Sequence, residues 1–314
     1  MKGLELSIKF YEEHGKGMLE EQFSHLLPYL AVGLVGSGSE CYGYDDEVSQ
    51  DHDFEPGFCI FLPDEDIVDR RMAFELERAY AKLPKEFMGF SRNAVNPVGG
   101  NRHGVIRMGD FFEAKTGSRD GSLSLGQWLS LPDYALCEAV NGEVFCDYYG
   151  EFSRIQGRLF YYPEDIRLKK LAGNLLLMGQ AGQYNYSRCI KRNETGAAQM
   201  AVFEFAKCAM QVMFLLKKRY APYYKWSFRA LRELGEDGLA FSKQLEFLIT
   251  SANDEESVRK KTETIEAVCK TVSTMLNGQN LTQADSAEME QQAYIVNNFI
   301  ADNNIRNMHI LSGV

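Results

Sequence analysis

The chain has 314 residues, 44 acidic and 34 basic, for a formal net charge of −10. Its content of 45% apolar and 25% charged residues excludes a wholly disordered chain. The acidic balance argues against a basic groove that wraps long nucleic acid, but it leaves room for a small nucleotide whose charge is met by metal ions and a few local cations.

The length fits two domains of roughly 100–200 residues each. Seven scattered cysteines without a CxxC pair read as free thiols and point to a cytoplasmic protein. The opening MKGLELSIKFYEEHGKG lacks the apolar centre of a signal peptide. No window approaches the ~20 uninterrupted apolar residues of a membrane span, and no membrane association is expected.

Residues 4–27 read as helix, interrupted near Gly15 and Gly17. Tyr29–Val35 is a short apolar run ended by Gly36-Ser37-Gly38-Ser39, which suits a buried strand and a tight turn. Phe58–Leu62, closed by Pro63, reads as a second buried strand, and His103–Met108 as a third. Between them, Ile67–Leu83 has the pattern of an amphipathic helix. A helix is expected over Leu125–Glu138, and a hairpin or short strands over Val144–Phe152 and Arg158–Tyr162.

Pro163-Glu164-Asp165 is a good helix start. Helices are expected near 164–181, 196–219, 225–235, 238–251, 255–276 and 284–301, with Asn253-Asp254-Glu255 and Thr282–Asp285 supplying caps. The expected class is α+β: residues 1–160 form a domain with a mixed sheet, and residues 161–314 a helical bundle.

The stretch that carries chemistry is 35–54. Small residues in the turn let backbone N–H groups approach an anion. Asp51 and Asp53 lie two residues apart, and on an extended backbone they share a face. Two carboxylates on one face near such a turn make a site for a hard divalent cation such as Mg²⁺, bridged to a triphosphate. His52, between them, points to the opposite face and is read as structural.

A Gly36-Ser37 turn followed by Asp51-His52-Asp53 resembles the nucleotidyltransferase superfamily of the DNA polymerase beta type. The chain as a whole resembles the bacterial family DUF4037. The likeness rests on the run from Gly36 to Phe54 and extends through Gly142–Asp147, Tyr161–Asp165 and Arg219–Trp226. It implies a nucleotidyltransferase-like amino-terminal domain and a helical carboxy-terminal domain, with no established substrate. Superfamily members usually present a third carboxylate from a neighbouring strand. The strand at 103–108 carries no acid, so Asp110, Glu113 or Asp147 would have to supply it.

Lys225, at a helix start inside Tyr220–Trp226, is placed to reach a nucleotide β- or γ-phosphate, and Arg188 to contact phosphate or the acceptor. Asp147, at the end of the apolar run 144–147, is a candidate general base. Neither GxSxG nor a Walker A lysine is present.

The expected activity is Mg²⁺-dependent transfer of a nucleoside monophosphate from an NTP, ATP first, to an unidentified hydroxyl acceptor. Asp51 and Asp53 hold the metal, Asp147 assists, and Gly36, Ser37, Ser39, Arg188 and Lys225 hold the nucleotide. The alternative is a non-catalytic nucleotide-binding or sensor protein on the same fold, motivated by the acid-free strand. The long amphipathic helices also admit a homodimer.

Overall fold

Short apolar runs closed by glycine or proline fold as the strands of a small sheet, as their composition predicts. The computed structural model describes residues 1–49, 54–92 and 102–314. They divide into two compact units, one of Met1–Ser124 with Tyr134–Phe160 and one of Leu125–Asp133 with Tyr161–Val314.

The first unit opens with α1 (Gly3–Phe10), a π-helical turn over Tyr11–Gly15, and α2 (Lys16–Gln22). Then come β1 (Ala31–Leu34), β2 (Cys59–Leu62) and α3 (Arg70–Ala81), whose N-cap Asp69 accepts from the Met72 N–H. A hairpin of β3 (Glu86–Phe87) and β4 (Phe90–Ser91) follows. Next are β5 (Gly104–Arg107) and α4 (Met108–Thr116). The helix expected over 125–138 is two helices, α5 (Leu125–Ser130) and α6 (Asp133–Val140). They part at Leu131-Pro132, where proline lacks the N–H that a continuous helix needs. The unit ends with β6 (Glu143–Asp147) and α7 (Glu151–Leu159).

The mixed sheet has the order β5-β2-β1-β6. β1 is antiparallel to both β2 and β6, and β2 is parallel to β5. β1 and β2 are buried along their whole length, so both faces of the sheet are covered. On one face, Val32, Ile60 and Leu62 join Leu6, Phe10, Leu19, Leu76 and Tyr80 in one apolar cluster. On the other, Phe61 packs against Phe152 at 4.3 Å between ring centres, with Phe111 and Phe112 beside them. Rings of this size carry several kcal/mol each when buried, on the order of 3–5 by truncation.

The expected strand at Arg158–Tyr162 is not one. Phe152, Ile155 and Leu159 recur at helical spacing and are buried on the inner face of α7. Tertiary burial of that stripe outweighs the local β preference of Phe160, Tyr161 and Tyr162.

The second unit is helical: α5, α8 (Glu164–Met178), α9 (Ser187–Lys191), α10 (Thr195–Leu216), α11 (Tyr224–Arg232), α12 (Glu236–Thr250), α13 (Glu255–Gly278), α14 (Met289–Asn298) and α15 (Asn303–Asn307). α8 runs into a π-helical stretch over Gly179–Tyr186 and is buried nearly all round. Asp254 caps α13 by accepting from the Ser257 N–H, as the sequence predicts. α10 alone among the described helices is long and apolar enough to cross a membrane by length and composition. Its Val202, Phe205, Ala209, Val212 and Met213 are buried within the unit.

Candidate functional site

Strand direction determines which residues meet. Gly33 of β1 lies opposite Cys59 of β2, and Cys59 lies opposite Gly104 of β5. Leu34 lies opposite Glu143 of β6. The chain leaving β1 therefore emerges beside the chains entering β2, β5 and β6. The turn Gly36-Ser37-Gly38-Ser39 occupies that end of the sheet, with Arg102 arriving before β5 and Glu138 and Asn141 before β6.

The turn is held tightly. Asn141 accepts from the Gly36 N–H and donates back to the Gly36 carbonyl, both at 2.8 Å. Gly36 and Gly38 have φ of +108° and +126°, which favour glycine. At Gly38 there is also no room for a Cβ, because the Arg102 guanidinium and the Glu40 carboxylate fill that space. Arg102 donates to the Ser37 carbonyl at 3.1 Å and pairs with buried Glu40. Ser39 contributes its carbonyl, which accepts from the Tyr42 and Tyr44 N–H groups.

Ser37 is the centre of the corner. Its hydroxyl donates to Glu138 Oε2 at 2.7 Å and accepts from Lys115 Nζ at 2.6 Å. Lys115 also pairs with the same Glu138 oxygen, closing a triangle of an exposed serine and two half-buried charged side chains. Lys115 sits in the last turn of α4, a position favoured for a cation by the helix dipole. Beneath the turn, Cys41 and Cys59 are buried, and burial pushes the Cys59 thiol up to about 12 and the Cys41 thiol well above its usual range. Neither is a ready nucleophile at neutral pH.

A cavity of about 740 Å³ opens from this corner along the edge strand β5, between α3 and α4. Gly36, Ser37 and Lys115 line one part of it, Arg70 and Arg107 another with Glu65, Glu77 and Asp110, and Val105 and Phe111 give it apolar wall. The volume suits a nucleotide-sized ligand. Arg107 is three residues along β5 from Gly104, roughly 10 Å from the Ser37 end by strand rise, and donates to the Pro63 carbonyl at 2.6 Å.

The predicted residues fare differently. Gly36, Ser37 and Ser39 share the corner. Asp51 and Asp53, the expected metal pair, lie outside the described residues. Asp147 lies opposite Ala31, at the far end of the sheet from the turn, because β6 runs antiparallel to β1. Its carboxylate accepts from the Gly150 N–H at 2.9 Å and the Ser153 N–H at 2.8 Å, capping α7. Asp147 therefore lies at a strand end, where it was expected, and caps α7 there. Asp110 and Glu113 are engaged by Arg119, which also holds Asp64. In the second unit, Arg188 lies over the Tyr184 ring, 4.5 Å from its centre, and bonds the Tyr184 hydroxyl. Lys225 Nζ lies 4.8 Å from the ring centre of Trp226.

Sequence reasoning missed Lys115, Glu138, Asn141 and Arg102. The available signal was for the helix carrying Lys115: a lysine in a last turn before Gly117, which takes the left-handed conformation at the helix end.

Three of the described acids near this end of the sheet already have side-chain partners. Glu40 pairs with Arg102, Glu138 with Lys115, and Glu55 with His103 at 3.1 Å. Among the described residues, no group of three or more His, Cys, Asp and Glu is placed to hold a metal ion. The corner offers donors for an anion, namely the Ser37 hydroxyl, the Lys115 ammonium and the Arg102 guanidinium.

The fold is α+β, with a small mixed sheet and a largely helical second unit. Residues 128–227 match the family described as Domain of unknown function (DUF4037), which supports that family for this part of the chain. The matched stretch holds Glu138 and Asn141 of the corner, whereas Ser37, Arg102 and Lys115 precede it. No curated protein and no solved structure matches the chain.

Proposed function

We propose that this chain is a cytoplasmic Mg²⁺-dependent nucleotidyltransferase that moves a nucleoside monophosphate from an NTP, ATP first, to a hydroxyl acceptor. The observation that carries the reading is the clamped Gly36-Ser37 turn, with Lys115 and Arg102 converging on Ser37 at the edge of a nucleotide-sized cavity. Oriented N–H, O–H and cationic donors of this kind stabilise the charge that builds on phosphoryl oxygens during transfer. The acceptor oxygen would attack the α-phosphorus, the bond to the bridging oxygen would break, pyrophosphate would leave, and the acceptor proton would pass to solvent. Ser37, Lys115 and Arg102 would hold the phosphate chain during that exchange. The assignment of Mg²⁺ to Asp51 and Asp53 rests on their spacing in the sequence and on the resemblance. Lys225 and Arg188 belong to the other unit and enter the reading through their sequence positions and the resemblance.

Calorimetric titration with Mg-ATP tests the proposal. Asp53→Ala is expected to abolish metal-dependent binding, and equal affinity in wild type and variant rejects the metal role.

A second reading, a non-catalytic nucleotide-binding or sensor protein, is favoured by one observation. β5 carries no acid, Glu40 and Glu138 are paired with Arg102 and Lys115, and Glu55 is hydrogen-bonded to His103. Incubation with labelled NTPs and a broad acceptor mixture separates the two. Steady pyrophosphate release contradicts the sensor, and its absence alongside tight NTP binding contradicts the transferase.

A further inference from the structure

We propose that the Glu138 carboxylate is an internal stand-in for a phosphate group. Ser37 and Lys115 form an oxyanion subsite for the terminal phosphates of the nucleotide, and Glu138 yields that subsite when the anion arrives. The inference rests on the nucleotide reading above and deepens it.

The geometry is that of a filled anion site. A single oxygen, Oε2 of Glu138, takes both the Ser37 hydroxyl at 2.7 Å and the Lys115 ammonium. A phosphate oxygen makes the same two charge-assisted bonds at the same distances. Both Ser37 and Lys115 line the cavity wall, so a ligand there meets the two donors. The backbone beneath Ser37 is fixed by Asn141 on one side and Arg102 on the other, so the donors stay in place when their acceptor changes.

The carboxylate itself is poorly placed to stay. Glu138 is in the last turn of α6, where the helix dipole disfavours negative charge. It is held by the Ser37 hydroxyl and the Lys115 ammonium, the two side chains that a phosphate would use. Rotation of one glutamate side chain would leave Lys115 uncompensated and raise the positive potential at the corner. A phosphate carrying more charge than a carboxylate competes well for such a position.

The test is calorimetric titration of inorganic pyrophosphate, in EDTA and separately in Mg²⁺, into the full chain and two variants. Glu138→Gln keeps the shape and removes the competing charge, and it should tighten pyrophosphate binding about 10-fold. Lys115→Met should weaken it by about 10-fold or more. Unchanged or weaker binding in E138Q overturns the proposal. A second readout uses the wild type alone: pyrophosphate should protect Lys115 from amine acylation, read by mass spectrometry, and undiminished labelling at saturating pyrophosphate also overturns it.

The outcomes separate the two claims. If D53A loses Mg-ATP binding while E138Q gains nothing for pyrophosphate, the subsite fails and the nucleotide reading stands. If E138Q tightens pyrophosphate while wild type binds no Mg-ATP, the oxyanion subsite stands and the nucleotide reading fails.

Discussion

Cations anchor both units, and Lys169 and Lys261 of the helical unit are satisfied differently from Lys115 and Arg102 of the sheet unit. In the helical unit, Lys169 is fully buried and donates to Asn297 Oδ1 at 3.0 Å and to the carbonyls of Arg306 at 3.3 Å and Met308 at 2.8 Å. Lys261, also fully buried, donates to the Ser251 carbonyl and to Gln199 and Asn253. Lys170 reaches the carbonyls of Leu129 and Gly313 and also lies 4.0 Å from the Asp133 carboxylate. Burial pulls all three lysines below their ordinary pKa. In the sheet unit, Lys115 and Arg102 instead hold the carboxylates of Glu138 and Glu40 beside a cavity. A main-chain carbonyl cannot leave its helix end, whereas a glutamate side chain can rotate away. The first arrangement fixes the fold, and the second leaves the cation available to another anion.

The largest expected effect tests that contrast directly. Lys169→Met removes the donor to three acceptors and should cost about 3–5 kcal/mol of stability in urea unfolding. Lys115→Met should cost less than about 1 kcal/mol, because its ion pair is partly solvated. Equal losses would erase the distinction between the two kinds of cation.

Asp147→Ala comes next. It removes the cap of α7 and should cost about 1 kcal/mol in thermal unfolding. The far-end position of Asp147 further predicts unchanged Mg-ATP affinity, and a large loss of affinity would restore it to the site.

The smallest effect is a pH dependence in the helical unit. Burial raises the Asp133 carboxyl above its usual range, although Lys170, the Tyr162 hydroxyl and the Ala221 N–H each pull it down. The folded state therefore holds this proton more tightly than the unfolded chain. Its contribution is fully present below the unfolded carboxyl value of about 4 and is lost as pH rises through the raised folded value. Asp133→Asn should flatten that decline in a pH series of urea midpoints, and an unaltered slope would contradict it.

Much of the framework was legible in the sequence. The apolar runs that became β1, β2 and β5 are bounded by glycine or proline, and the helices after Pro163 follow their apolar spacing. The stretch Arg158–Tyr162 misled because its aromatic residues favour strands locally, while Phe152, Ile155 and Leu159 bury the helical stripe that decides the outcome. Which end of the sheet Asp147 occupies was not legible for a different reason: an acid at a strand end can lie at either end, and only the antiparallel pairing of β6 with β1 settles which. The meeting of Ser37, Lys115 and Glu138 joins residues 78 and 101 positions apart from Ser37. No local pattern encodes a contact at that range. The turn was readable because its glycines are a local requirement, and its charged partners were not because they come from the register of the sheet.

The most direct measurement is Mg-ATP affinity by calorimetry for wild type and Lys115→Met, with urea unfolding of both run in parallel. Binding is expected to weaken by about 10-fold or more, with stability changed by less than about 1 kcal/mol. Mg-ATP affinity equal in the two proteins would contradict it.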